Sequence, residues 1–174
     1  MNKIIGIDVD GVLRDFPQAI CNIWNKEYKT RLQPRDITHW DLRQTFKGIK
    51  TPEFYYEHGE DLFLNSKMYI NSAYYMHELK EAGHEMVIVT NQPRGLEDLT
   101  IKWLNNHKIP YDGIMITKDK GLFKGDILVD DATINLNRFS SGLPICYKQP
   151  YNVDYQLTRS STCINNLGEL KRLL

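Results

Sequence analysis

The sequence predicts a doubly wound α/β fold, an open parallel sheet flanked by helices, with a small helical cap inserted after the first strand. Three observations predict it. Short, β-branched apolar runs recur along the chain, and most of them end in a polar residue. Stretches with helical apolar spacing separate these runs. Roughly 75 residues lie between the first run and the second, far more than one crossover helix needs.

Lys3 to Val9 is the first run, apolar enough to be a strand covered on both faces. Met86 to Thr90, Ile114 to Thr117, Ile127 to Asp130 and Pro144 to Tyr147 read the same way, giving five strands of one sheet. Ser72 is positioned to cap a helix that runs through Met76 and Leu79 to a stop at Gly83. Leu96, Leu99, Trp103 and Leu104 mark one face of the next helix, and residues 166–174 close the chain as a short one. Residues 1–13 and 72–174 therefore form the core, and residues 14–71 the cap. Within the cap, Phe16, Ile20, Ile23 and Trp24 recur at helical spacing, and Pro34 and Pro52 punctuate the chain ahead of an aromatic-rich segment from Phe54 to Phe63.

Composition narrows the function. The 174 residues carry 22 Lys and Arg against 22 Asp and Glu, so no global field draws in a nucleic acid or an acidic membrane. Cys21, Cys146 and Cys163 have none of the paired spacings of zinc or disulfide-exchange motifs and are expected to be reduced. No apolar run approaches the roughly 20 residues of a membrane span, and the first residues do not read as a signal peptide. A cytoplasmic protein is the expectation.

In a parallel sheet the carboxyl ends of the strands share one edge, so residues distant in sequence meet there. Asp8 and Asp10 follow the first strand, Thr90 and Asn91 the second, Thr117-Lys118-Asp119-Lys120 the third, and Asp130 and Asp131 the fourth. Two like charges about 4 Å apart repel by about 4 kcal/mol at an effective dielectric near 20, so clustered carboxylates protonate or bind a cation. An all-oxygen donor set selects Mg²⁺. With a cation present, the Thr90 hydroxyl, a Lys ammonium from Lys118 or Lys120, and backbone N–H groups near Gly11 and Asn91 can hold a phosphoryl group. One carboxylate can then attack phosphorus while a second moves the proton. Asp131 either supports Asp130 or a metal-bound water, or caps the helix that follows.

The ordered set Asp8-Val9-Asp10-Gly11-Val12, Val89-Thr90-Asn91, a Lys and Asp130-Asp131 resembles the four motifs of the haloacid dehalogenase superfamily of phosphotransferases. Within it the chain is most similar to the 5'(3')-deoxyribonucleotidases, which carry a helical cap after the first motif. The resemblance implies a phosphomonoesterase acting on nucleoside monophosphates, with Asp8 as nucleophile and Asp10 as general acid and then base. Mg²⁺ would be held by Asp8, the backbone carbonyl of Asp10, and Asp130. Thr90, Asn91 and a Lys, best Lys120 over Lys118 and Lys124, would hold the phosphate, and Phe16 would meet the substrate base. The resembled nucleotidases also suggest a homodimer. The chain departs from them in Asn91-Gln92-Pro93 after the motif threonine and in lacking plain counterparts of the paired cap tryptophans, for which Trp40 or the Phe54 to Tyr56 cluster would serve instead. A phosphatase of polynucleotide 3' ends or of a small metabolite shares the chemistry, and a phospho-acceptor signalling domain shares part of it; the absent basic track argues against the first, the cap and Asp130-Asp131 against the last.

Overall fold

The computed structural model describes residues 2–153 and 162–174. Their strands are β1 (Ile4–Ile7), β2 (Glu85–Thr90), β3 (Gly113–Ile116), β4 (Ile127–Asp130), β5 (Leu143–Tyr147) and β6 (Thr162–Ile164). Every pairing is parallel, and the order across the sheet is β3-β2-β1-β4-β5-β6. The five expected strands are present. The sixth, three residues long with the sequence Thr-Cys-Ile, is too short to stand out by periodicity.

The order reverses at β1, which lies between β2 and β4, and the crevice of an open α/β sheet forms at such a point. Asp8 therefore emerges at the switch in strand order. The inner strands are buried as expected, with Ile5, Ile7, Ile88, Val89 and Val129 at zero exposure. β3 is the exception: Ile114 and Ile116 are exposed, because β3 ends the sheet order and that side of it is left uncovered.

Helices α4 (Ser72–Glu81) and α5 (Glu97–Asn106) connect the first three strands, and α6 (Thr133–Arg138) follows β4. Ser72 is the first residue of α4 rather than its cap: Asn71 holds the cap position at φ 63° and makes no side-chain capping bond. The end of the chain forms a 3-10 turn at Leu167–Arg172, tighter than the α-helix expected. Trp103 and Leu104 on α5 join the core under the sheet, whereas Leu96 and Leu99 pack against a second apolar cluster.

That second cluster lies in the inserted segment, which contains α1 (Phe16–Tyr28), α2 (Thr51–Glu57) and α3 (Gly59–Phe63). Asp15 caps α1, its side chain accepting from the Gln18 N–H, and Pro17 occupies the first turn, where its missing N–H is harmless. Ile20, Phe46 and Leu62 are wholly buried against one another's cluster, with Trp24 and Phe54 nearly so. The two chain passages that join this segment to the sheet lie side by side: the Asp15 N–H donates to the Lys67 carbonyl and the Tyr69 N–H to the Leu13 carbonyl, with Arg14 and Met68 bridged antiparallel.

Candidate active site

Immediately after β1 the chain folds into a tight loop, in which the N–H groups of Val12, Leu13 and Arg14 all donate to the Val9 carbonyl. Gly11 makes the turn at φ +78°, a left-handed conformation that side chains disfavour. A Cβ there would also press on the Asp131 carboxylate and lie 2.9 Å from the Tyr151 hydroxyl. The sequence DVDGV thus places Asp8 on the sheet edge and turns Asp10 away from it.

Asp8 is 5% exposed. Its Oδ1 accepts from the Val9 N–H at 2.7 Å and its Oδ2 faces the Lys120 ammonium at 2.7 Å. Lys120 lies on a 3-10 turn (Lys120–Leu122) after β3 and reaches Asp130 Oδ2 at 2.7 Å as well. Of the three lysines the sequence offers here, Lys120 is the one that the fold inserts between the carboxylates; Lys118 and Lys124 are exposed. Asp130, wholly buried, also accepts from the Ala132 N–H at 2.7 Å and from Asn135 Nδ2 at 3.1 and 3.2 Å.

Asp131 does not cap α6: the N–H at the helix start is taken by Asp130, while the Asp131 carboxylate accepts from the Tyr151 hydroxyl. The Asp131 carbonyl accepts from Asn152 Nδ2 at 2.8 Å. Asp8, Asp130 and Asp131 bring one carboxylate oxygen each to within 4.8 Å of one another. Burial, offset in part by Lys120 and reinforced by Asp130, pushes the Asp8 carboxyl up to about 7. Burial and then the charges of Asp130 and Asp8 push Asp131 well above the carboxylate range. Burial alone would depress Lys120, but Asp130 and Asp8 outweigh it and hold the ammonium charged. One ammonium among three carboxylates leaves net negative charge, and the oxygen donors, their spacing and the raised carboxyls all fit a hard divalent cation. The carboxylate of Asp10 is not in this group.

That carboxylate instead accepts from Arg14 Nε at 2.7 Å and Nη2 at 3.1 Å, and from Gln92 Nε2 at 2.9 Å. Gln92 Nε2 also donates to Thr90 Oγ1 at 2.8 Å, so Thr90, which is wholly buried, shares a network with Asp10. Asn91 is exposed and lines the cavity described next.

A cavity of about 950 Å³ opens above these groups, bounded by Asp8, Asp10, Asn91, Lys120 and Asp131 on the sheet side. The inserted segment supplies Phe16, Tyr55, Phe63 and the well exposed Trp40 to its walls. Phe16 both stacks on Phe63, with centroids 6.0 Å apart, and meets the Tyr55 ring edge-on at 6.0 Å. Phe16 thus packs against its aromatic neighbours and lines the cavity at the same time. Trp24 and Phe54 belong to the buried cluster.

Several residues of the site escaped the sequence reading. Tyr151 and Asn152 follow β5 in the run Gln149-Pro150-Tyr151-Asn152, on the same edge as the other strand ends, so the rule that located Asp130 applies to them too. Arg14 is a charge inside the apolar run Gly-Val-Leu-Arg, four residues after Asp10, and Gln92 lies between Asn91 and Pro93.

A family model described as "5' nucleotidase, deoxy (Pyrimidine), cytosolic type C protein" matches residues 2–167. The chain is 31% identical over 160 residues to a 5'(3')-deoxyribonucleotidase of Bacillus subtilis, covering 87% of this chain and 88% of that protein. It is 28% identical over 152 residues to a 5'(3')-deoxyribonucleotidase of Clostridium acetobutylicum, covering 80% and 79%. Among solved structures, a HAD family hydrolase from Deinococcus radiodurans with bound phosphate and sodium superposes with a TM-score of 0.71 at 14% identity, over 99% of this chain and 94% of that one. The last likeness is one of fold.

Proposed function

Since the chain belongs to the deoxy-pyrimidine 5' nucleotidase, cytosolic type C family and is a phosphoric monoester hydrolase, we propose that it hydrolyses deoxynucleoside monophosphates through a phosphorylated Asp8. The observation that carries the reading is the placement of the Asp8 carboxylate, held by Lys120 at 2.7 Å, in a cavity to which the inserted segment contributes the aromatic rings of Phe16, Tyr55 and Phe63 and whose lining also includes the cations Arg43, Arg94 and Arg138. Roughly 300–1,000 Å³ is the usual range of small-molecule sites, so about 950 Å³ accommodates a nucleotide.

Asp8 attacks phosphorus, and the bond from phosphorus to the sugar oxygen breaks. Asp10 gives that oxygen its proton and then takes one from the water that releases phosphate from Asp8. Thr90, Asn91 and Lys120 bind the phosphate oxygens. Asp8, Asp130, the Asp10 carbonyl and, from its position, Asp131 would hold Mg²⁺, which supplies positive charge to the phosphoryl oxygens when bound. Phe16 stacks against the base. We take residues 14–71 as the unit that admits substrate, and residues 1–13 with 72–174 as the unit that performs the chemistry. A cytoplasmic homodimer, in line with the family description and the resembled nucleotidases, belongs to the same proposal.

Turnover of dTMP and dUMP is measured with Mg²⁺ and with EDTA, for the native chain and for Asp8→Asn. The expected result is phosphate release that needs the metal and is lost in the variant. Undiminished turnover by Asp8→Asn sinks the mechanism. Preference for a 3'-phosphorylated oligonucleotide or a sugar phosphate over dTMP sinks the substrate.

A further inference from the structure

Arg14 is wholly buried at the point where the chain leaves the sheet for the inserted segment, and each nitrogen of its guanidinium donates a hydrogen bond. Nε and Nη2 grip the two oxygens of Asp10 at 2.7 and 3.1 Å. Nη2 also donates to Thr100 Oγ1 on α5 at 3.0 Å, and Nη1 donates to the Phe63 carbonyl in the inserted segment at 2.6 Å. The rings of Phe63 and Trp103 both lie 5.2 Å from its central carbon. Gln92 closes the network, accepting from Thr100 Oγ1 at 2.8 Å while donating to Asp10 Oδ2.

A buried ion pair adds little stability over apolar side chains of the same volume, so stability alone gives a weak reason for an arginine here. Its planar fork does something an apolar residue cannot: it fixes both oxygens of a carboxylate at once. The carboxylate it fixes borders the cavity. Its other contacts anchor the fork to a core helix and to the carbonyl of Phe63, whose ring stacks on Phe16 in the cavity wall.

The geometry points to Arg14 as a positioning residue that holds the Asp10 carboxylate in one orientation at the cavity and ties that orientation to the placement of the cap. This rests on Asp10 being the proton donor to the leaving oxygen. A sugar alkoxide is a poor leaving group and needs that proton in the transition state, whereas nitrophenolate departs with little help. kcat/KM covers all steps up to departure of the leaving group, so the ratio of kcat/KM for dTMP to that for p-nitrophenyl phosphate reads the proton donor.

Arg14→Met is expected to lose about 30- to 100-fold in kcat/KM on dTMP, mostly in kcat, and no more than about 3-fold on p-nitrophenyl phosphate, within the usual reach of general acid catalysis. Arg14→Lys keeps the charge but lacks the second prong, and shows the same selectivity at about 10-fold. It also serves as the measured variant if Arg14→Met does not fold. Asp10→Asn, assayed alongside, sets the scale with a larger selective loss. Equal losses on the two substrates in the Arg14 variants, with Asp10→Asn selective, overturn the role of Arg14. An unselective Asp10→Asn overturns the proton-donor reading, and the role of Arg14 with it.

Discussion

The Lys120 ammonium lies 2.7 Å from Asp8 Oδ2, both groups almost completely buried, and the same nitrogen lies 2.7 Å from Asp130 Oδ2. One cation thus spans the carboxyl ends of two adjacent strands, β1 and β4, from a turn that follows β3 on the far side of β2. Charges this close in a buried site interact strongly, and the third carboxylate, Asp131, has its closest donor in Tyr151 rather than in Lys120. The site is therefore stable only while its negative charge is compensated.

Lys120→Met should reveal that dependence. Removing one partner of a buried ion pair costs about 3–5 kcal/mol, because the remaining charges lose their compensation. In EDTA the variant is expected to unfold at a clearly lower urea concentration than the native chain, with part of the loss recovered in millimolar Mg²⁺. With Lys120 binding the phosphoryl oxygens as proposed, activity on dTMP should fall by about 100- to 1,000-fold in either case. An unchanged urea midpoint in EDTA would contradict the assigned burial of the pair.

Asp8 gives the pH dependence. Its carboxyl, ordinarily near 3.8, is pushed up to about 7 by burial. The folded protein therefore holds a proton that the unfolded chain has already released between pH 4 and 7. The stabilisation is complete below about 4 and is lost as pH rises through about 7, so metal-free protein should be more stable at pH 5.5 than at pH 8. Asp8→Asn removes one of two raised carboxyls, the other being Asp131, and should reduce this slope, leaving the variant more stable than the native chain at pH 8 in EDTA. Thermal midpoints from pH 5 to 8 make the comparison. Saturating Mg²⁺ should flatten the native slope as well, since it favours the ionised carboxylates.

Gly11→Ala tests the packing beneath the loop. The left-handed conformation costs a side chain about 1–2 kcal/mol, and the added methyl meets the Asp131 carboxylate and the Tyr151 hydroxyl. The Asp131 side chain must shift, and with it one of the three clustered carboxylates. Displaced supporting contacts at metal sites weaken metal binding by about 10- to 100-fold. The Mg²⁺ concentration for half-maximal activity should rise accordingly, while Gly48→Ala, at a glycine of similar φ with open space around it, should leave it unchanged.

The sequence carried this site to different depths. That Asp8, Lys120 and Asp130 come together was legible because each follows an apolar run that could only be a strand, and parallel strands bring their carboxyl ends together; Thr90 follows such a run too, but its hydroxyl is buried against Gln92. The choice of Lys120 over Lys118 and Lys124 came only through the resemblance to the nucleotidases, since the 3-10 turn that aims it inward has no periodic signature. Arg14 was hidden for a different reason. A charge beside a strand end reads as solvated, and its burial depends on Phe63, Thr100 and Trp103, which arrive from 49 residues away or more. The edge position of β3 was equally hidden, because Ile-Met-Ile looks the same in an inner strand. What fixes it is the strand order, a property of the whole chain.

Phe16 is the remaining test, and it addresses the substrate. Its ring lines the cavity between Phe63 and Tyr55, so it can meet a planar ligand without leaving its aromatic neighbours. Stacking of one base on an aromatic side chain contributes about 1–3 kcal/mol, so Phe16→Ala should raise KM for dTMP about 10-fold or more. Asp8, Asp10 and Lys120 are untouched by this change, and kcat should stay within about 3-fold of the native value. Glycerol 2-phosphate, which carries a phosphoryl group and no base, should show no comparable rise in KM. A parallel rise for both substrates would mean that Phe16 supports the shape of the cavity without contacting the base, and would move base recognition to Trp40 or Tyr56, the exposed aromatics of the same wall.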